Sequence, residues 1–311
     1  NENKYQEAYA YAVKVIADGH YPLASDYREI FLADNNTCKE IIWPLVQDGL
    51  RAQSSAGTNF YVKAFVNGPM DELYKTGVGS RGWGNVRAKV SLVDAFDADD
   101  VMFDGNDTWG NNKKDKRAQF MTALPNQVKD TWDVNMDMTS TFTCGYGYIK
   151  WRNVTKEDEL CPSGDAYTSI DFSLFRPADA YLMAAEAILR GANGTQSEAL
   201  GYVNEVRTRA YMSGKYAKNG VRSDVSGEIT ANELNLDFLL VERQKELASE
   251  LTRRTDLIRF GKYTKGNNWD WKNGVRLGAD VDDKYNLFPI PESELTNNPA
   301  LVQNDGYKVI K

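Results

Sequence analysis

A chain of 311 residues has room for one large domain or two ordinary ones. Hydrophobic residues make up 42% and charged residues 26%, a composition that buries a core and stays in water. The net charge of -7 argues against nucleic acid as the main partner, and no apolar run is long enough to span a bilayer.

Residues 4–18 read as an amphipathic helix. Ala8, Ala12 and Ile16 form one stripe, with Tyr5, Tyr9, Val13 and Val15 around it. Small residues at that spacing let a neighbouring helix approach closely. Gly19 and Pro22 stop the helix, and the polar pattern of residues 1–20 is not that of a secretory leader. The apolar run Glu40-Ile41-Ile42-Trp43-Pro44-Leu45 reads as a short strand.

Residues 46–85 are loop-rich, with a turn at Gln47-Asp48-Gly49 and a polar stretch from Gln53 to Thr58. Gly77, Gly79, Gly82 and Gly84 then surround Arg81 and Trp83. A tryptophan among glycines has little bulk beside it to cover it. Trp83 is therefore the candidate for an exposed stacking platform, the alternative being a ring that plugs a loop. A glycine-rich phosphate loop is not indicated, because G-x-x-x-x-G-K-[ST] is missing and no strand precedes the glycines.

Val86 to Phe96 reads as another helix. The acidic loop that follows, with Asp97, Asp99, Asp100, Asp104 and Asp107, invites a calcium reading but lacks the spacing of a calcium-binding helix–loop–helix. No metal is expected there. Tyr146 to Asn153 alternates as a strand does. Pro177 in a first helical turn opens a helix that runs to Gly191, and a second covers Ser197 to Arg209 with Leu200, Val203 and Val206 facing inward. The two form an αα-hairpin of tetratricopeptide type.

The stretch from Phe238 to Tyr263, FLLVERQKELASELTRRTDLIRFGKY, organises the rest. Leu239, Leu240, Leu247 and Leu251 recur at helical spacing, and Glu242, Glu246 and Glu250 make a row of carboxylates on a neighbouring face. Arg243, Arg253, Arg254 and Arg259 lie within reach of that row. The helix weakens near Thr252–Thr255, and a short second one ends at Gly261. One reading is a strut tied by ion pairs. The other is a carboxylate pair for glycoside hydrolysis. Arginines beside the carboxylates hold them ionised, which suits a strut better than a general acid. Beyond it, Trp269 and Trp271 are either packed or a second sugar platform. Pro289 and Pro291 set an extended segment.

A single histidine, His20, removes histidine-based catalysis and histidine-rich metal sites from consideration. Catalytic residues and cofactors are not expected. Cys38, Cys144 and Cys161 are too few for a disulfide scaffold, and a bridge between Cys144 and Cys161 is the most plausible single one.

These motifs resemble the SusD/RagB family of Bacteroidetes surface glycan-binding lipoproteins. The pattern E-R-x-x-E-L-x-x-E-G-x-R-x-x-D-L-x-R-x-G of that family appears as Glu242-Arg243, Glu246-Leu247, Glu250, Arg253, Asp256-Leu257, Arg259 and Gly261. Leu251 stands in place of the usual glycine, from which a helix running further is expected. The terminal pattern P-I-P-x-x-E-L-x-x-N-P-x-x-x-Q-N-x-G-Y is met from Pro289 to Tyr307. Asp115-Lys116-Arg117 matches the D-x-R of the family, expected as a structural ion pair. Lys14-Val15-Ile16, Asp26-Tyr27, Leu32-Ala33-Asp34-Asn35 and Gly82-Trp83 are similar to a starch-binding member. A tyrosine of its aromatic arc would fall in the Gln53–Ala56 loop, where this chain has Ser54-Ser55; Tyr61 or Tyr74 could compensate.

The resemblance implies a mainly α fold, SusD-like, of tetratricopeptide-like helix pairs with long loops and a few short strands. It implies that residues 1–311 are the C-terminal portion of a single such domain. It implies a non-enzymatic surface lipoprotein of the outer membrane, held to the membrane only by an N-terminal lipid anchor outside this chain. Such a protein captures an oligosaccharide or polysaccharide, starch or maltooligosaccharide-like, and delivers it to a SusC-like TonB-dependent transporter. The candidate glycan contacts are Trp83, Arg81, Gln53, Ser55 and Tyr61. A binder of another glycan, a glycoside hydrolase and a protein-binding helical adaptor are the alternatives.

Overall fold

The computed structural model describes residues 2–101, 109–110, 112–121, 145–212 and 225–308. They fall into two compact units: Asn1–Ala88 with Leu92–Glu250, and Lys89–Ser91 with Leu251–Lys311. Among the described residues the chain is mostly helical, as expected, and no helix is long and apolar enough to cross a membrane.

In the first unit, helix α1 (Tyr5–Asp18) ends at Gly19, whose φ of +70° takes the left-handed cap that glycine adopts without strain. Strand β1 (Trp43–Leu45) follows, then the short helices α2 (Thr58–Ala64) and α3 (Gly68–Tyr74). Val86 to Phe96 is not one helix. Only α4 (Val90–Val93) is helical there, and α5 (Ala98–Val101) follows it. Of the acidic loop, Asp104 and Asp107 lie outside the described residues. Asp100 is buried and accepts the backbone N–H groups of Lys114 and Asp115 at 2.7 and 3.0 Å, so it staples the loop. Among the described residues no group of acidic, cysteine or histidine side chains could hold a metal ion.

Strands β2 (Phe120–Met121) and β3 (Gly147–Tyr148) pair antiparallel, and β4 (Phe172–Phe175) pairs antiparallel with β1. The strand expected over Tyr146–Asn153 is thus cut to two residues. All eight side chains or backbones of that segment are buried, so it threads the core instead of lying half in solvent. Around it sits an aromatic core. Trp151 stacks on Phe172 at 5.5 Å and meets Phe31 edge-on at 4.8 Å, while Phe120 lies 5.1 Å from Tyr148.

The helical hairpin is built as expected from α6 (Pro177–Leu189) and α7 (Gln196–Tyr211). Thr195 and Glu198 form a reciprocal capping box at the start of α7, satisfying backbone donors that the helix cannot. Ala178, Ala184 and Ala185 of α6 are fully buried, which lets α1, α7 and α8 (Leu236–Glu246) pack closely on it. Leu182, Val203, Val206 and Leu239 fill this second core.

The carboxylate row on α8 and beyond is a strut. Glu242, Glu246 and Glu250 are all buried. Glu242 meets Arg117 and Arg207, each at 2.6 Å. Glu246 meets Arg117 at 3.1 Å, Arg176 at 2.5 Å, and Arg209. Glu250 meets Arg176 at 2.7 Å and Lys150 at 2.5 Å. Glu40 joins through Arg176 and Arg209, and Asp115 through Arg117, which bears out the ion pair expected of that segment. Acids and bases in this group balance in number, so burial leaves little uncompensated charge. The cations come from α7, from the residue before α6 and from two loops. Of the arginines expected to serve the row, Arg243 instead pairs with Asp179 at 2.8 Å and Arg259 with Asp256 at 2.7 Å.

The helix does not run further for want of glycine at 251. It ends at Glu246, and Leu251 adopts φ +64° with its side chain 73% exposed. The left-handed turn is made without the residue that makes it cheaply. Helix α9 (Arg253–Arg259) and Gly261 then follow as expected in the second unit, with α10 (Glu292–Asn297) after the extended Pro289–Pro291 segment. Among the described residues Cys38 and Cys161 are free thiols, and the bridge expected between Cys161 and Cys144 falls outside the described residues.

Candidate functional site

Two exposed aromatic rings meet in the first unit. Trp83 is 39% exposed and Phe60 45% exposed, their centroids 6.3 Å apart and their planes at 60°. Phe60 lies on α2, whose first turn is anchored. Thr58 donates to the Ile170 carbonyl at 2.8 Å, and the Asn59 side chain accepts from Thr168 N–H at 3.1 Å and donates to the Ser54 carbonyl. With Val62 buried below, Phe60 faces outward.

Trp83 is fixed through its backbone. Its N–H donates to the Lys63 carbonyl at 2.8 Å, and the next amides, Gly84 and Asn85, reach Val66 at 2.8 Å and Ala64 at 3.0 Å. The segment thereby satisfies the orphan carbonyls at the end of α2. The close approach explains the glycines: a Cβ on Gly82 would lie 2.4 Å from the Val66 carbonyl oxygen, and Gly84 has φ +59°.

Polar groups lie close by. Arg81 donates from Nε to Asp165 Oδ1 at 3.0 Å, with both side chains well exposed. Lys63 donates to the Ala166 carbonyl and lies 5.9 Å from the Tyr167 ring centroid. Burial, aided by the Arg81 charge, holds its ammonium below the usual lysine value, with Asp165 opposing. Asp71 orders the approach to Arg81 by accepting Val78 N–H at 3.0 Å and Gly79 N–H at 2.9 Å.

Among the expected contacts, Trp83 and Arg81 stand on this surface. Gln53 and Ser55 are exposed on the loop that leads into α2. Tyr61 is half-buried, its ring 5.3 Å from Trp151, 5.6 Å from Phe172 and 5.7 Å edge-on from Phe60. It backs Phe60 and does not offer a free face. Tyr74 is fully buried, which overturns its suggested compensating role. Phe60 and Asp165 were not legible as site residues: Phe60 sits in an ordinary helical pattern, and Asp165 reaches Arg81 from 84 residues away.

The hydrolase reading finds no support in the carboxylate row. Burial alone would raise Glu246, but Arg209, Arg176 and Arg117 hold it well below the usual carboxylate range; Glu250 is likewise lowered by Arg176 and Lys150. A general acid needs the opposite shift.

The scaffold is mainly helical and presents an aromatic pair, with charges beside it, at its surface. The chain belongs to the SusD family, whose family model matches residues 39–307. It is 32% identical to the starch-binding protein SusD of Bacteroides thetaiotaomicron over 99% of its own length and 57% of that protein. The surface glycan-binding protein A of Bacteroides uniformis shares the fold, with a TM-score of 0.63 at 22% identity over 97% of this chain and 56% of that one. So does the surface glycan-binding protein A of Bacteroides thetaiotaomicron in complex with laminarihexaose, with a TM-score of 0.60 at 20% identity over 97% and 59%. The chain spans somewhat more than half the length of these relatives.

Proposed function

We propose that this chain captures glycans at the cell surface without cleaving them, using Trp83 and Phe60 as stacking faces. The observation that carries the reading is the exposed, backbone-locked pair, with Arg81 and Asp165 beside it. Sugar rings present C–H faces to aromatics and hydroxyls to charged hydrogen-bonding groups, and this surface offers both. Planes at 60° suit a chain that turns between residues better than a flat ribbon. Together with the similarity to a starch-binding protein, this favours starch or a maltooligosaccharide. A β-glucan such as laminarin is the second reading, because a relative of the same fold carries laminarihexaose.

Under this proposal the protein is an outer-membrane lipoprotein that passes its ligand to a SusC-like TonB-dependent transporter; membership of the family supports both.

Affinity electrophoresis against starch, pullulan, laminarin, dextran, xylan and inulin tests the reading. Retardation by starch and pullulan, weakened in Trp83→Ala, is expected. Retardation by none, or release of new reducing ends, would sink it.

A further inference from the structure

On one loop of the second unit a lysine is buried and the tryptophan beside it is exposed. Lys272 is 2% exposed and Trp271 is 43% exposed. Side chains ordinarily partition the other way. The Lys272 ammonium donates to the Gly266 carbonyl at 2.9 Å and the Lys265 carbonyl at 3.2 Å, and lies 4.8 Å from the Trp269 ring centroid. Trp269 in turn packs 5.4 Å from Tyr263. The loop is therefore built around Lys272 and Trp269, and Trp271 is left outside it.

Trp271 also has φ +63° and ψ +12°, a left-handed conformation that is unfavourable for any residue with a Cβ. Hydrogen bonds hold it there. Trp271 N–H donates to the Arg276 carbonyl at 3.1 Å, Ala279 N–H to the Lys272 carbonyl at 3.2 Å, and the Asn273 amide to the Asp280 carbonyl at 3.0 Å. A rigidly framed and exposed tryptophan in a strained conformation is not accounted for by packing.

Next to it, Lys89 donates to the Asp270 carbonyl at 3.1 Å and lies 3.9 Å from the Asp270 carboxylate. Asn267 and Asn273 are exposed on the same loop.

We propose that Trp271 is a second sugar-stacking platform, with Lys89, Asp270 and Asn273 as partners for the hydroxyls of a neutral polysaccharide. It rests on the glycan reading given above. Charges of both signs and amides flank the ring, whereas the centre of a protein interface is depleted in charge. A protein seated on the exposed Val275 and Leu277 is the competing occupant.

The test uses Trp271→Gly, which removes the ring and suits the left-handed backbone, and Trp271→Phe, which keeps a ring. Affinity electrophoresis in starch and laminarin is run on each, alone and with Trp83→Ala, with thermal melts as the folding control. Trp271→Gly is expected to weaken polysaccharide affinity roughly three- to tenfold with its melt intact, and Trp271→Phe to keep most of it. Residual retardation of Trp83→Ala should vanish when Trp271→Gly is added. Wild-type retardation in Trp271→Gly, alongside a loss in Trp83→Ala, overturns this proposal and leaves the first platform standing. That result passes the surface to the protein partner. No retardation of the wild-type protein overturns both.

Discussion

Arg176 grips Glu250 with two hydrogen bonds, Nε to Oε2 at 2.7 Å and Nη2 to Oε1 at 2.8 Å. They lie 74 residues apart, one before the first turn of α6 and the other just past the end of α8. The pair fixes where the chain leaves α8, and the same guanidinium also holds Glu246 and Glu40. Removing one partner leaves buried charge without compensation. Arg176→Ala should therefore cost about 3–5 kcal/mol, a loss read by urea denaturation. A cost near that of a surface ion pair would show that the network is not closed to water.

Leu251 offers a gain in stability. Its left-handed φ costs a leucine roughly 1–2 kcal/mol, and its side chain touches little. Glycine relieves that strain but loses more backbone entropy on folding. Leu251→Gly should raise stability by about 0.5–1 kcal/mol, and Leu251→Ala should gain nothing comparable. Equal melting temperatures for the two variants would refute the account.

The buried network titrates in two windows. Glu246, Glu250 and Asp115 sit below their ordinary values of 4.5, 4.5 and 3.8, because neighbouring cations outweigh the effect of burial. The unfolded chain thus takes up protons first as pH falls, and stability present at neutral pH drains away below about pH 4.5. Lys150 behaves differently. Burial brings it down to about 8 from 10.5, with Glu250 only partly opposing. Between those values the unfolded state holds more protons, so stability rises with pH. From pH 8 to 9.5 the gain should be roughly 1–2 kcal/mol. Above that, buried tyrosines such as Tyr27 and Tyr148, which burial keeps neutral in the fold, reverse the trend. Denaturation at pH 8 and 9.5 checks this against Lys150→Met, which should lose the rise.

At the aromatic pair, two variants separate geometry from contact. Phe60→Ala should change stability by less than about 1 kcal/mol, since the ring is near half exposed, and weaken glycan affinity roughly three- to tenfold. Gly82→Ala drives a Cβ into the Val66 carbonyl. It should cost about 2–4 kcal/mol and displace Trp83. Isothermal titration and thermal melts distinguish the two. A Gly82→Ala protein with native stability and affinity would mean that the crossing is looser than it stands here.

Much of this was legible along the chain. The α6–α7 hairpin followed from Pro177, the inward valines and Gly191, because each of those signals acts over one or two turns. The pairing of Asp115 with Arg117 followed from the family resemblance. Trp83 stood out because glycines cannot cover a ring. Strand length over Tyr146–Asn153 was misjudged, since periodicity does not show a segment threading a core, and helix length over Val86–Phe96 was overestimated, only Val90–Val93 being helical.

By itself the sequence determined the helical class, the hairpin, the family and the tryptophan to test, all of them local patterns or long signatures. Only the tertiary structure decided which cations serve Glu242, Glu246 and Glu250, that Phe60 and Asp165 join Trp83 and Arg81, and that Lys272 lies inside while Trp271 lies out. The first two outcomes depend on residues tens to more than a hundred positions apart coming together, and the third on the competition between burial and charge that only packing settles.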